Sequence, residues 1–149
     1  MTPKSLDEPV LQAKLALIRQ LVDDLDAVGV TPERLKDDRM VRYAVERILT
    51  QLVDLAVSVN GHVAAVRIGR GPADYRESFA LAARSGAITP DLARQLSPSV
   101  GLRNVLTHEY VEVDLAVVAA SAEQASTGFR EYVRQVATFL VASRPAKHS

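Results

Sequence analysis

The decapeptide "GLRNVLTHEY", Gly101 to Tyr110, sets four side chains capable of chemistry into an otherwise aliphatic run: Arg103, Asn104, His108 and Tyr110. On an ideal helix that advances roughly 100° per residue from Leu102, Arg103, Thr107, Asn104 and His108 fall at roughly 100°, 140°, 200° and 240°. Val105 and Leu106 fall at roughly 300° and 40°, beside Leu102, so polar and aliphatic side chains take opposite arcs. Asn104 and His108 stand four apart, a spacing at which the amide would hold the imidazole in one tautomer, and the long Arg103 side chain would bring its charge into the same space. A cation beside a titratable base suits chemistry at a phosphodiester: His takes or delivers a proton, and Arg stabilises charge on the transferring phosphoryl group. RNA supplies its own nucleophile, the ribose 2′-hydroxyl, so such a cleavage needs no metal. Taken alone, the spacing still favours a structural or solvated His over a catalytic one, since Arg-x4-His is a common coincidence.

Other chemistries find less support. The 149 residues contain no Cys, which excludes disulfides, thiolate metal sites and a Cys nucleophile. His62 and His148 form no metal-ligand spacing with His108, so neither a metal nor a cofactor is expected. Ser97, Ser99 and Thr107 lack a Gly-x-Ser-x-Gly turn and a readable acid behind the His, which rules out a serine hydrolase. "GRG", Gly69 to Gly71, is too short for a phosphate loop and follows no strand. The N-terminus has no signal-peptide pattern and no apolar run is expected to reach the length of a membrane span, so the expected location is cytoplasmic.

Net charge is zero but uneven: residues 1–38 hold five basic and eight acidic side chains, residues 39–103 nine and five, and the remainder four and five. All nine basic residues of the middle segment are Arg, whose planar fork suits phosphate and admits an RNA or nucleotide partner. For any single Arg, a solvated helix face is the simpler reading.

The elements that must carry these residues are helical. Hydrophobic residues make up 48% of the chain with only seven aromatics and no Trp, a composition that fits packed helices better than a β-sandwich. Leu11, Leu15, Ile18, Val22 and Leu25 mark a first helix ending at Gly29, and Thr31-Pro32 reads as a cap opening a short turn. Val41 through Val66 predict a long second helix reaching Ile68, followed by the break "GRGPAD" and a helix from Tyr75 to Arg84. Thr89-Pro90 opens a short stretch through Leu96, Ser97-Pro98 precedes the helix of the opening motif, and Asp114 caps a long last helix from Leu115 to Leu140. The expected fold is all-α, an up-and-down bundle of about five helices, with one domain over residues 1–149, an ordered core at 8–142 and a tail at 143–149. Glu46, Arg47 and Asp54 on the second helix read as exposed or locally paired charges, and Asp74, Tyr75 and Arg76 as structural.

"GLRNVLTHEY" resembles the Arg-x4-His-x-Tyr signature of HepT-type toxins, a bacterial and archaeal branch of the HEPN superfamily of helical ribonucleases. "VRYAVERILTQLVDLAVSVNGH" is similar to that family's long second helix and "ADYRESFALAARSGAI" to the helix that follows, in the same order, over residues 8–142. The resemblance implies a HEPN bundle that forms a homodimer, with the two motif helices facing across a cleft. It implies a metal-independent RNA endonuclease in which Arg103 and His108 are catalytic and Asn104 supports them. It further implies silencing by a nucleotidyltransferase antitoxin of the MntA type, which adds AMP to Tyr110; such a group would place negative phosphate near Arg103. RNA, the antitoxin and a second copy of the chain are thus the expected partners, with no role for DNA or membrane. A competing reading keeps the bundle but makes it a non-catalytic module that binds a nucleotidyltransferase or a nucleotide.

Overall fold

Helix-starting side chains recur along the chain, and a computed structural model, which describes residues 5–108 and 112–145, shows each of them in use. The Asp7 side chain accepts from the Val10 amide to open α1, Glu8–Val28, which ends where Gly29 turns left-handed at φ 65°. The Thr31 hydroxyl accepts from the Arg34 amide at 3.1 Å and starts α2, Pro32–Asp37, so the expected turn is a six-residue helix. Asp38 accepts from the Met40 and Val41 amides at 3.0 and 3.2 Å to begin α3, Arg39–Arg67. Asp74, Thr89 and Asp114 do the same for α4, Tyr75–Arg84, for α5, Pro90–Leu106, and for α6, Leu115–Ala142. Among the described residues there is no strand.

The two segments expected around Ser97-Pro98 are one helix, α5, with Pro98 inside it. Proline removes one backbone donor. The neighbouring hydroxyls bond the same stretch of backbone, Ser97 donating to the Ala93 carbonyl at 2.7 Å and Ser99 to that of Leu96 at 2.5 Å. Gly128 of α6 lets α5 come close: a Cβ there would lie 2.8 Å from Leu96 Cδ2.

α3 is the axis of the bundle and packs against all five other helices. By length and mean hydropathy, 1.2 over its most apolar window, it would pass for a membrane span, against the expectation that no run is long enough. Burial explains that composition: 56% of the window lies inside the bundle, where Val45, Leu52, Ala56, Val59 and Val63 are fully enclosed or nearly so.

One polar cluster sits in that core. The Tyr132 hydroxyl donates to Asn60 Oδ1 at 2.5 Å with the Ala56 carbonyl 3.2 Å away, and Asn60 Nδ2 donates to Ser78 Oγ at 3.3 Å. Tyr132, Asn60 and Ser78 are all buried, and burial pushes the Tyr132 phenol far above its ordinary pKa. Phe79 and Phe129 meet the Tyr132 ring edge-on at 6.3 and 6.2 Å. This cluster fixes how α3, α4 and α6 register, because a slip of any of the three would strand a buried polar atom.

Ion pairs close the outer seam between α1 and α6. Arg130 reaches Asp23 at 2.8 Å and Asp26 at 2.7 Å, Ser126 donates to Asp26 at 2.6 Å, and beyond α6 Arg144 clasps Glu8 at 2.6 Å. The Ser126 hydroxyl, then Arg130, hold Asp26 below its ordinary 3.8, Arg144 does so for Glu8, and Arg134 with Gln135 lowers Glu131 to about 2.

Two outcomes follow from this packing. Tyr132→Phe should destabilise the fold by about 1–3 kcal/mol, since the buried Asn60 oxygen loses its donor; urea unfolding measures this directly. Asp26, Glu8 and Glu131 have folded pKa values below their unfolded ones, so their contribution is present above the unfolded carboxylate range and is lost as pH falls through the lowered values, which for Glu131 is about 2. The thermal midpoint should decline across that window, and Arg130→Gln should shallow the decline; an unchanged slope would count against the seam.

Candidate functional site

Three helices meet at Arg103. It lies in the last turn of α5, and its Nε donates to Asp54 Oδ1, 3.1 Å away in the middle of α3. Its guanidinium carbon stands 4.6 Å from the centre of the Tyr75 ring, which belongs to the first residue of α4. Its Nη1 donates to Asn104 Oδ1 at 3.4 Å. The Arg103 side chain keeps 25% of its exposure, so it is held yet reachable. Among the described residues two of its N–H groups are engaged by these bonds and the others are available to an anion, while the C-terminal turn of a helix favours a cation in any case.

Each contact has its own support. Tyr75 follows Asp74, whose carboxylate accepts from the Glu77 amide at 2.9 Å, while Glu77 reaches back to the Ala73 amide at 3.2 Å. That is a reciprocal cap, and Arg70 secures it by pairing with Glu77 at 2.6 Å. "GRGPAD" thus braces Tyr75. Burial, then the negative charge of Asp54, raises the Tyr75 phenol above its usual pKa of 10.0, so the ring stays neutral at physiological pH.

His108 departs from the helical projection. α5 ends at Leu106, with Thr107 as its cap and the Thr107 hydroxyl on the Asn104 carbonyl at 3.0 Å; the His108 amide makes only a short turn to the Val105 carbonyl at 3.1 Å. The Thr107 hydroxyl occupies a carbonyl at the helix end, and the chain leaves the helical path there. His108 is therefore exposed just beyond the helix, near Arg103 in sequence but off its arc. The Asn104 amide oxygen is turned to Arg103, and among the described residues no hydrogen bond joins Asn104 to His108. The expected orienting of the imidazole by Asn104 is replaced by support of the Arg. Tyr110 lies outside the described residues.

Asp54 and Tyr75 were read from sequence as surface charge and structure. Asp54 did carry a signal: it is the only acid between Glu46 and Asp74, set in an aliphatic run. Tyr75 carried none, since an aromatic at a helix start is ordinary packing. Glu46, by contrast, is locally paired as expected, with Arg42 at 3.7 Å, and the His62 Nε2 accepts from the Asp7 amide at 3.0 Å, tying α3 to the start of α1.

Comparison with known proteins fits this geometry. A family model described as "Ribonuclease HepT-like" matches residues 11–136. The tRNA nuclease HepT of Aphanizomenon flos-aquae is 27% identical over 139 residues, covering 92% of this chain and 94% of that one. The mRNA nuclease HepT of Shewanella oneidensis is 25% identical over 120 residues, covering 80% and 90%. Among solved structures, a tri-AMPylated HEPN toxin of Shewanella oneidensis in complex with an MNT antitoxin superposes with a TM-score of 0.79 at 23% identity, covering 90% of this chain and 99% of that one. The fold is thus shared with a HEPN toxin, and with the family model matched over most of its length, the chain belongs to the HepT-like ribonuclease family.

Proposed function

We propose that this chain is the toxin of a toxin–antitoxin pair and acts as a metal-independent RNA endonuclease. The observation that carries the reading is Arg103, held by Asp54, set over the Tyr75 ring and partly exposed five residues before His108. The two named relatives are a tRNA nuclease and an mRNA nuclease, and RNA is the substrate class their names share.

In the proposed step the ribose 2′-oxygen forms a bond to phosphorus and the bond to the 5′-oxygen breaks. His108 takes the 2′-hydroxyl proton or delivers one to the leaving oxygen, and Arg103 stabilises the charge gathering on the phosphoryl oxygens. Asn104 supports Arg103 through its amide oxygen. The products are a 2′,3′-cyclic phosphate and a 5′-hydroxyl. A homodimer with the motif segments across a two-fold axis would set two such pairs in one cleft and divide the acid and base roles. Silencing is assigned to an MntA-type nucleotidyltransferase that adds AMP to Tyr110, where the added phosphate competes for the Arg103 charge. The proposed setting is the cytoplasm.

Arg103→Ala and His108→Ala should each lower cleavage of a labelled RNA by about 100-fold or more, with circular dichroism unchanged. Wild-type cleavage should persist in excess chelator; strict dependence on Mg²⁺ would contradict the metal-free step. Expression beside a genomically adjacent nucleotidyltransferase should add mass in AMP steps that vanish in Tyr110→Phe. Tight binding of that enzyme by a chain that cleaves no RNA would favour the non-catalytic module instead.

A further inference from the structure

We propose that Tyr75 and Asp54 are positioning residues that clamp Arg103 and present its guanidinium to an RNA phosphate in a single orientation. The inference rests on the reading of Arg103 as the group that meets phosphate. An arginine in the last turn of a helix is a long, flexible chain, and a flexible cation is a poor stabiliser of a charge that develops at one point. Two contacts from separate helices remove that freedom. The guanidinium carbon sits over the Tyr75 ring, 4.6 Å from its centre, and Asp54 accepts from Nε at 3.1 Å. Among the described residues, the terminal N–H groups that Asn104 does not engage are left for the anion.

Neither contact is a chance meeting of surface side chains. Asp54 projects from the axial helix between the buried Val53 and the partly buried Leu55, so its backbone cannot shift without disturbing the core. Tyr75 stands on a loop and cap built by Arg70, Ala73, Asp74 and Glu77. The other Arg-carboxylate pairs differ in kind: Arg42–Glu46, Arg94–Asp91 and Arg134–Glu131 are neighbours on one helix turn, and among the described residues Arg70, Arg130 and Arg144 hold acids with no ring beside them, so that only Arg103 combines a distant acid with an aromatic ring.

The test compares wild type with Tyr75→Phe, Tyr75→Ala, Asp54→Asn and Arg103→Ala of the full chain, measuring kcat and KM on a fluorogenic oligoribonucleotide alongside thermal unfolding. Tyr75→Phe keeps the ring and should stay within about threefold of wild type, whereas Tyr75→Ala and Asp54→Asn should lower kcat by about 10- to 100-fold with KM little changed. If Tyr75→Phe falls as far as Tyr75→Ala, or if Tyr75→Ala and Asp54→Asn keep wild-type kcat while Arg103→Ala is inactive, the clamp is overturned and the role of Arg103 survives. Full activity of Arg103→Ala would instead overturn the reading beneath it. Should Tyr75→Ala unfold, Tyr75→Leu serves with a second readout, the Nε–H proton resonance of Arg103, assigned through Arg103→Lys. That resonance should lose its ring-current shift in folded Tyr75→Leu; an unmoved resonance refutes the clamp.

Discussion

Helix α3 has to satisfy two demands at once. It is enclosed by five other helices, which requires a nearly continuous aliphatic surface, and it must still deliver a carboxylate to the one place where Arg103 waits. Asp54 meets both, because it stands where the helix emerges from its neighbours and keeps 38% of its side-chain exposure. A fully buried acid would have cost far more in desolvation than its partner returns. A fully exposed one would have held Arg103 weakly, screened by water and salt. The buried Asn60–Tyr132 hydrogen bond, a turn and a half further along the same helix, fixes the rotation of α3 and so the direction in which Asp54 points.

That constraint also sorts the arginines. The nine of the middle segment suggested a surface suited to nucleic acid, yet Arg42, Arg70 and Arg94 are committed to acids close by in sequence. Arg130 and Arg144 serve the seam between α1 and the end of the chain. Their effect is local and structural. Arg103 differs because its acid lies on the axial helix, its ring partner lies on a third helix, and its side chain stays partly exposed. A count of basic residues is therefore a poor guide; the way each one is held separates Arg103 from the Arg residues of the seam.

The helices were legible because their signals are local. The stripe Leu11, Leu15, Ile18, Val22, Leu25 and the caps Thr31, Thr89 and Asp114 lie within a few residues of what they determine, and each was found where expected or nearly so. Pro98 misled because proline usually ends a helix, whereas here the Ser97 and Ser99 hydroxyls and the packing of Leu96 on Gly128 carry α5 through it. The Arg103 site was legible only in part. Arg103 belongs to a motif with a fixed spacing, but Asp54 and Tyr75 are joined to it by tertiary contact; a lone acid in an aliphatic run marks Asp54 as unusual without naming its partner, and Tyr75 looks like ordinary packing.

The two residues read as the chemistry of this chain are held in different ways, and the difference matches what each is asked to do. Stabilising charge on a phosphoryl group depends on a dipole or cation already in place, since reorganisation during the reaction would consume the benefit. Arg103 is accordingly fixed by α3, α4 and Asn104. A general acid or base needs only to come within hydrogen-bond reach of one oxygen, and its geometry commonly tightens once substrate is bound. His108 stands past the end of α5 on an exposed turn, where a substrate strand or a second protomer could set its final position. The fold thus commits its tertiary interactions to Arg103, and under the proposed reading leaves His108 to be positioned by what binds.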